Sequence, residues 1–143
     1  MRDGNIRTAF VLTLTAGMLL SGSTLSFAAN VKYKADMKGS SEVPPTDSAG
    51  TGKAAVTYDT KSKKLSWVVT YSGLSGEPTA AHFHGPAARG KNAGPVVDIS
   101  GNINKGTAEL TPEQAKDLQS GKWYVNIHTE KFPDGEIRGQ VVK

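Results

Sequence analysis

Cysteine is absent from all 143 residues. Disulfide staples therefore play no part, and stability has to come from burial. Thiolate chemistry goes with them: blue-copper centres, iron–sulfur clusters and a lipid anchor on a cysteine are all excluded. Any metal site must use nitrogen and oxygen donors. Long apolar runs are equally scarce. The run from Ala9 to Leu20 is interrupted by Thr13, Thr15 and Gly17, and it is too short to span a bilayer as a helix. Two catalytic signatures are also missing. There is no Gly-x-Ser-x-Gly turn, and the glycine-rich stretch from Arg89 to Gly94 lacks the Gly-Lys-Ser/Thr ending of a phosphate loop.

What is present at the start of the chain is an export signal. Arg2 and Arg7 precede the apolar run, and Ser26-Phe27-Ala28 puts small residues at the −3 and −1 positions of a cut before Ala29. Residues 1–28 are read as a secretory signal peptide and 29–143 as a single mature domain, secreted or periplasmic, with no stable membrane insertion after cleavage. The mature part carries 15 basic and 12 acidic side chains, net +3. That balance is too mild to suggest nucleic acid. The lysines are scattered with few aromatics beside them, as on solvated strand faces.

Period-two alternation dominates the mature sequence. Val31, Tyr33, Ala35 and Met37 alternate with Lys32, Lys34, Asp36 and Lys38, which predicts a half-buried strand. Ala54, Val56 and Tyr58 are followed by the turn Asp59 to Lys63 and then Leu65, Trp67, Val69 and Tyr71, a hairpin pattern. Further strands are expected at Thr79–Gly85, Val96–Ile99, Gly106–Leu110, Trp123–His128 and Glu136–Val142. One helix is expected: Thr111 as cap, Pro112 in the first position, Gln114 three residues after the cap, and Gly121 as the stop. About seven or eight short strands, with turn signals every 8 to 12 residues or so and one short helix, predict an all-β sandwich with Greek-key connections.

The three histidines all fall in two of these segments. In a strand, His82 and His84 project from one face with Cα atoms roughly 6.6 Å apart, and His128 lies in the other segment on the face of Tyr124 and Asn126. The apolar sets Ala81/Phe83 and Trp123/Val125/Ile127 occupy the opposite faces. With the apolar sets inward, the imidazoles point outward or into a side cleft. They converge only if the two strands are neighbours. Three neutral imidazoles suit Cu(II) or Zn(II), with copper the tighter binder, and they leave an open position for water or substrate. The alternative is three ordinary strand histidines that satisfy hydrogen bonds. Tyr124 and Asn126 are candidates to orient an imidazole. Arg138, on the polar face of the last strand, is a candidate to steer a small anion such as superoxide, or else a structural ion-pair residue. Met37 is read as core. Asp98, Glu130 and Asp134 are further oxygen donors with nothing to choose among them.

Several blocks resemble the chordin-type domain, CHRD. They are Glu42-Val43-Pro44-Pro45, Ala80-Ala81-His82-Phe83-His84-Gly85-Pro86-Ala87, Gly94-Pro95-Val96-Val97, Leu110-Thr111-Pro112-Glu113-Gln114, Tyr124-Val125-Asn126-Ile127-His128-Thr129 and Gly135-Glu136-Ile137-Arg138-Gly139-Gln140. The resemblance implies a secreted immunoglobulin-like sandwich and says little about biochemical role. A second likeness, of pattern and architecture, is to copper/zinc superoxide dismutase: His82-Phe83-His84 is similar to its His-x-His pair and His128 to its late copper histidine. Its zinc cluster and disulfide have no counterpart here, which leaves a copper-only arrangement. Two functions follow as expectations. One is an exported copper-binding protein, with His82, His84 and His128 as ligands and superoxide dismutation as the activity. The other is a metal-free extracellular structural or binding module. A three-histidine zinc hydrolase is a weaker third reading, without a candidate proton acceptor.

Overall fold

The fold grows out of the alternating segments. The computed structural model describes residues 29–143; the predicted signal peptide, 1–28, lies outside them. Strands β1 (Asn30–Lys38), β2 (Thr51–Asp59) and β3 (Lys64–Ser72) form an antiparallel meander. Register places Tyr33 beside Val56 and Ala35 beside Ala54, then Val56 beside Trp67 and Tyr58 beside Leu65. All of these face inward and are buried, while the intervening lysines, serines and threonines face outward. The β2–β3 turn is held by the Asp59 carboxylate, which accepts the amides of Lys61 at 2.8 Å and Ser62 at 3.2 Å.

The chain then crosses to build the second half. Strands β4 (Pro78–His84) and β5 (Pro95–Asp98) pair, β6 (Lys105–Glu109) returns to the free edge of β3, and β7 (Trp123–Thr129) and β8 (Ile137–Val141) follow the helix. Helix α1 (Pro112–Gln119) begins as expected: the Gln114 amide donates to Thr111 Oγ1 at 3.2 Å and the Thr111 amide donates to Gln114 Oε1 at 2.9 Å. Ala115 and Leu118 are its buried stripe, and Gly121 ends it at φ +70°. No helix among the described residues is long and apolar enough to cross a membrane.

The all-β architecture and the single helix match expectation, but the layering is different. All eight strands belong to one antiparallel sheet in the order β5-β4-β7-β8-β1-β2-β3-β6. The edge strands β5 and β6 are consecutive in the chain, so the sheet has to curl round until its edges nearly meet. The result is closer to a barrel than to two separate sheets. The physical reason lies at β8–β1. Only Lys38 and Arg138 pair there, with a second bridge from Lys34 to Val142, yet this thin seam joins the two halves. Gly139 permits it, because a Cβ there would sit 2.5 Å from the Asp36 carbonyl oxygen. Inside, Trp67 of β3 meets Phe83 of β4 edge-on at 5.8 Å, and Phe83 meets Trp123 at 5.9 Å. Each such fully buried large side chain contributes about 1.5–3 kcal/mol.

Candidate metal centre

The condition set by the sequence is met: β4 and β7 are antiparallel neighbours. His82 lies opposite Asn126, His84 opposite Tyr124, and Ala80 opposite His128. His128 is therefore diagonal to His82, within the reach of long side chains across a strand pair. His82 Nδ1 lies 3.2 Å from His128 Nε2, and one ligand atom from each of the three histidines falls within 4.8 Å of the others.

The outer nitrogens of two of the rings are already committed. His84 Nδ1 donates to the Ala93 carbonyl at 2.9 Å, and His128 Nδ1 donates to the Pro133 carbonyl at 2.8 Å. With those protons in place, a neutral His84 or His128 presents Nε2 as a lone pair. His82 Nε2 faces the exposed Asp98 carboxylate at 3.9 Å, which leaves Nδ1 turned to the centre. Each ring thus has an oxygen behind it and a nitrogen in front, the arrangement that orients metal-binding imidazoles. Burial, and then the neighbouring histidines, hold the His82 and His84 imidazoles below the ordinary histidine value; Asp98 opposes this at His82, and the Ala93 and Asn126 contacts oppose it at His84. At His82 and His84 the net direction favours the neutral ring, the form that ligation requires.

Asn126 does more than flank the site. Its Oδ1 is 2.9 Å from His84 Nε2 and 3.0 Å from His128 Nε2. Tyr124 stacks flat on His84, with ring centroids 4.7 Å apart and planes 2° from parallel, and its hydroxyl donates to Ala93 O at 3.0 Å. Arg138 is beside Asn126 in the register and is only 2% exposed. Its guanidinium lies over the Tyr124 ring, 3.4 Å from the centroid, and donates to Asn92 Oδ1 at 2.7 Å and to the Lys91 carbonyl. The loop from Gly85 to Gly94 is thus fastened down over the polar face of β4, β7 and β8. This face is covered rather than open, with Asn126 at 3% exposure and His84 at 8%. His82 is more accessible than His84, its side chain 22% exposed.

Glu42 is the residue the sequence reading left out of the site. It comes from the loop after β1, and its carboxyl and the Asn126 amide nitrogen both border the space beside Gly135. Burial raises its pKa to about 7, against the opposing influence of Arg138, Asn126 and the Val43 backbone. No spacing or periodicity ties Glu42 to strands some 40 and 80 residues later. The other candidates separate cleanly. Met37 is in the core, Asp98 stands behind His82, and Glu130 and Asp134 do not join the donor cluster, which among the described residues consists of His82, His84 and His128.

Comparison with known families matches residues 33–141 to the CHRD domain. The match spans most of the chain and includes every element of the site, so the protein belongs to the CHRD-domain family. No curated protein and no solved structure matches the chain.

Proposed function

We propose that this chain is an exported CHRD-domain protein that binds a metal ion through His82 Nδ1, His84 Nε2 and His128 Nε2, with copper preferred over zinc. One observation carries the reading. Three imidazole nitrogens converge while the opposite nitrogen of each ring faces an oxygen: the Ala93 and Pro133 carbonyls and the Asp98 carboxylate. An all-nitrogen and oxygen donor set without thiolate suits Cu(II) and Zn(II), and copper stands higher in the affinity order. Export rests on the basic start, apolar run and small-residue cut within residues 1–28.

Superoxide dismutation is the most concrete activity for such a centre. Copper would supply the redox couple by which one superoxide gives up an electron to become dioxygen and a second takes it, with two protons, to become hydrogen peroxide. The chain's own residues would bind and orient. Tyr124 and Ala93 hold the His84 ring, Pro133 holds His128, and the exposed side of His82 is the approach for a small anion. Arg138 places positive charge beneath this face while its donors fasten the covering loop, so its anion-steering role is indirect.

The test is metal analysis of protein recovered from its exported compartment, followed by copper loading and a superoxide-consumption assay. One tightly held copper per chain is expected, lost in the His82→Ala/His84→Ala/His128→Ala variant. Stoichiometric copper retained by that variant would overturn the site. Copper without turnover would make the protein a copper carrier or buffer. A melting temperature indifferent to Cu(II) and Zn(II) would leave a metal-free extracellular module.

A further inference from the structure

We propose that the Asn126 amide oxygen is a fourth donor to the three-histidine site and that Glu42 is the positioning residue that keeps it turned that way. The inference rests on the three-histidine reading and extends it. With their Nδ1 protons committed to Ala93 and Pro133, neutral His84 and His128 each direct a lone pair at Asn126 Oδ1, which itself has only lone pairs to offer. Three acceptors face one another across 2.9 and 3.0 Å. That repulsion is relieved when a cation sits among them.

Turning the amide over would relieve it too, by presenting the NH2 group to the rings. Glu42 opposes that turn. With Glu42 ionised, the turn would bring Oδ1 round to its carboxylate and set acceptor against acceptor there instead. Glu42 is 6% exposed, and its Oε1 has no hydrogen-bond partner among the described residues. A buried carboxylate with a spare oxygen is costly and contributes little to holding the fold together. Gly135 is what admits it. At φ +128° this residue has no side chain, and a Cβ would lie 2.5 Å from Glu42 Oε1 and 2.8 Å from Asn126 Nδ2.

The spacings agree with a shared ion. Bonds of about 2.0–2.1 Å separate adjacent donors by about 2.9 Å at a right angle and about 3.4 Å at the tetrahedral angle. The three neighbouring separations along His82, His128, Asn126 and His84 are 3.2, 3.0 and 2.9 Å. Two of the three lie near the right-angle value and the third lies between the two values, so donors at these spacings could share one ion.

The experiment loads wild type, Asn126→Ala, Asn126→Asp and Glu42→Gln with one equivalent of Cu(II). Affinity is read by competition with a chromophoric chelator. Electron paramagnetic resonance in ¹⁷O-enriched water detects a bound water, and melting of each metal-free protein checks the fold. Wild type should show no ¹⁷O broadening. Asn126→Ala should bind about tenfold or more weakly and acquire that broadening as water takes the vacated place. Asn126→Asp should keep copper with a spectrum moved by the added negative charge, and Glu42→Gln should weaken binding by about tenfold while remaining folded. A folded Asn126→Ala with wild-type affinity and spectrum would overturn the proposal, as would ¹⁷O broadening in wild type equal to that of the variant. If Asn126→Ala does not fold, an Asn126→Asp spectrum identical to wild type overturns it. Copper binding that is unchanged in the Asn126 variants sinks only the fourth donor; wild type that binds no copper sinks the three-histidine site with it.

Discussion

The outward face of β1, β2 and β3 and the corresponding face of β4, β7 and β8 use the same extended backbone and end in opposite environments. On the first, every second residue is in solvent: Lys32, Lys34 and Asp36 on β1, Lys53 and Ala55 on β2, Val68 and Thr70 on β3. On the second, Tyr124, Asn126, Arg138 and Gln140 are as buried as the apolar residues that alternate with them. Strands buried on both sides usually read as continuous apolar runs. Here the second buried layer is polar, and it persists because every group in it has a partner or a task. Gln140 donates to the Ala87 and Gly121 carbonyls, Arg138 to Asn92 and Lys91, and Tyr124 to Ala93. The covering loops are held by these side chains, and in return they remove His84 and Asn126 from bulk water.

Two buried glutamates sharpen the contrast. Glu136 is fully buried and fully served: Ser48 Oγ donates at 2.6 Å, the Ser75 amide and hydroxyl each at 2.7 Å, and Thr129 Oγ1 at 2.5 Å. Although burial, the largest single influence, raises its pKa, these four donors together bring it below the usual carboxylate value. Glu42 is comparably buried, has an oxygen without a partner, and is raised to about 7. The first is a fastening between loops. The second resembles a group retained for what it does to its neighbour.

The largest effect expected from breaking this contrast is at the imidazoles. His84→Ala should weaken copper binding by about a hundredfold or more, measured by chelator competition, and should alter melting of the metal-loaded protein more than of the metal-free protein. Next comes the fastening. Glu136→Ala, which strands four buried donors, should cost about 3 kcal/mol in denaturant unfolding. Its pH signature has a definite sign. Because the folded pKa lies below the ordinary 4.5, the stabilisation is fully present above that value and is lost as pH falls through the folded pKa. The melting gap between wild type and Glu136→Gln should therefore narrow as pH falls below the ordinary carboxylate value and close below the folded pKa. A gap constant with pH would show that the carboxylate charge is not what the four donors serve.

Smaller effects follow. Arg138→Lys cannot supply the fork that reaches Lys91 and Asn92 while lying flat on Tyr124, and it should cost about 1–2 kcal/mol. Amide exchange should quicken between Gly85 and Gly94 in that variant while β1–β3 remain protected. The smallest effect belongs to the wet face: Lys34→Gln or Thr57→Ser should change stability by no more than about 0.5 kcal/mol. A loss there as large as at Arg138 would erase the distinction between the two faces.

Much of the fold was legible because period-two alternation directly records a half-wet strand. That applies to Val31–Met37, Ala54–Tyr58 and Leu65–Tyr71, whose inward sets were read residue by residue. Helix α1 was legible through its capping box, since Thr111 and Gln114 bond within one turn and need no distant partner. The curl into one sheet was not, because it depends on the thin β8–β1 seam and the room that Gly139 leaves there. At the site, His82 and His84 could be paired from their spacing, and Asn126 could be suspected from its shared face with His128. That this face would be roofed over was hidden, because the roof comes from loops with no periodicity. Glu42 was hidden for the same reason.

The amino-acid order by itself determined the strands, the inward faces, the helix cap and the absence of thiolate chemistry, because each depends on neighbours a few residues apart. The tertiary structure alone decided that β4 and β7 lie side by side, that Ala93 and Pro133 stand behind two of the rings, and that Glu42 meets Asn126 above Gly135. Those contacts join segments tens of residues apart, and only packing of the whole sheet brings them together.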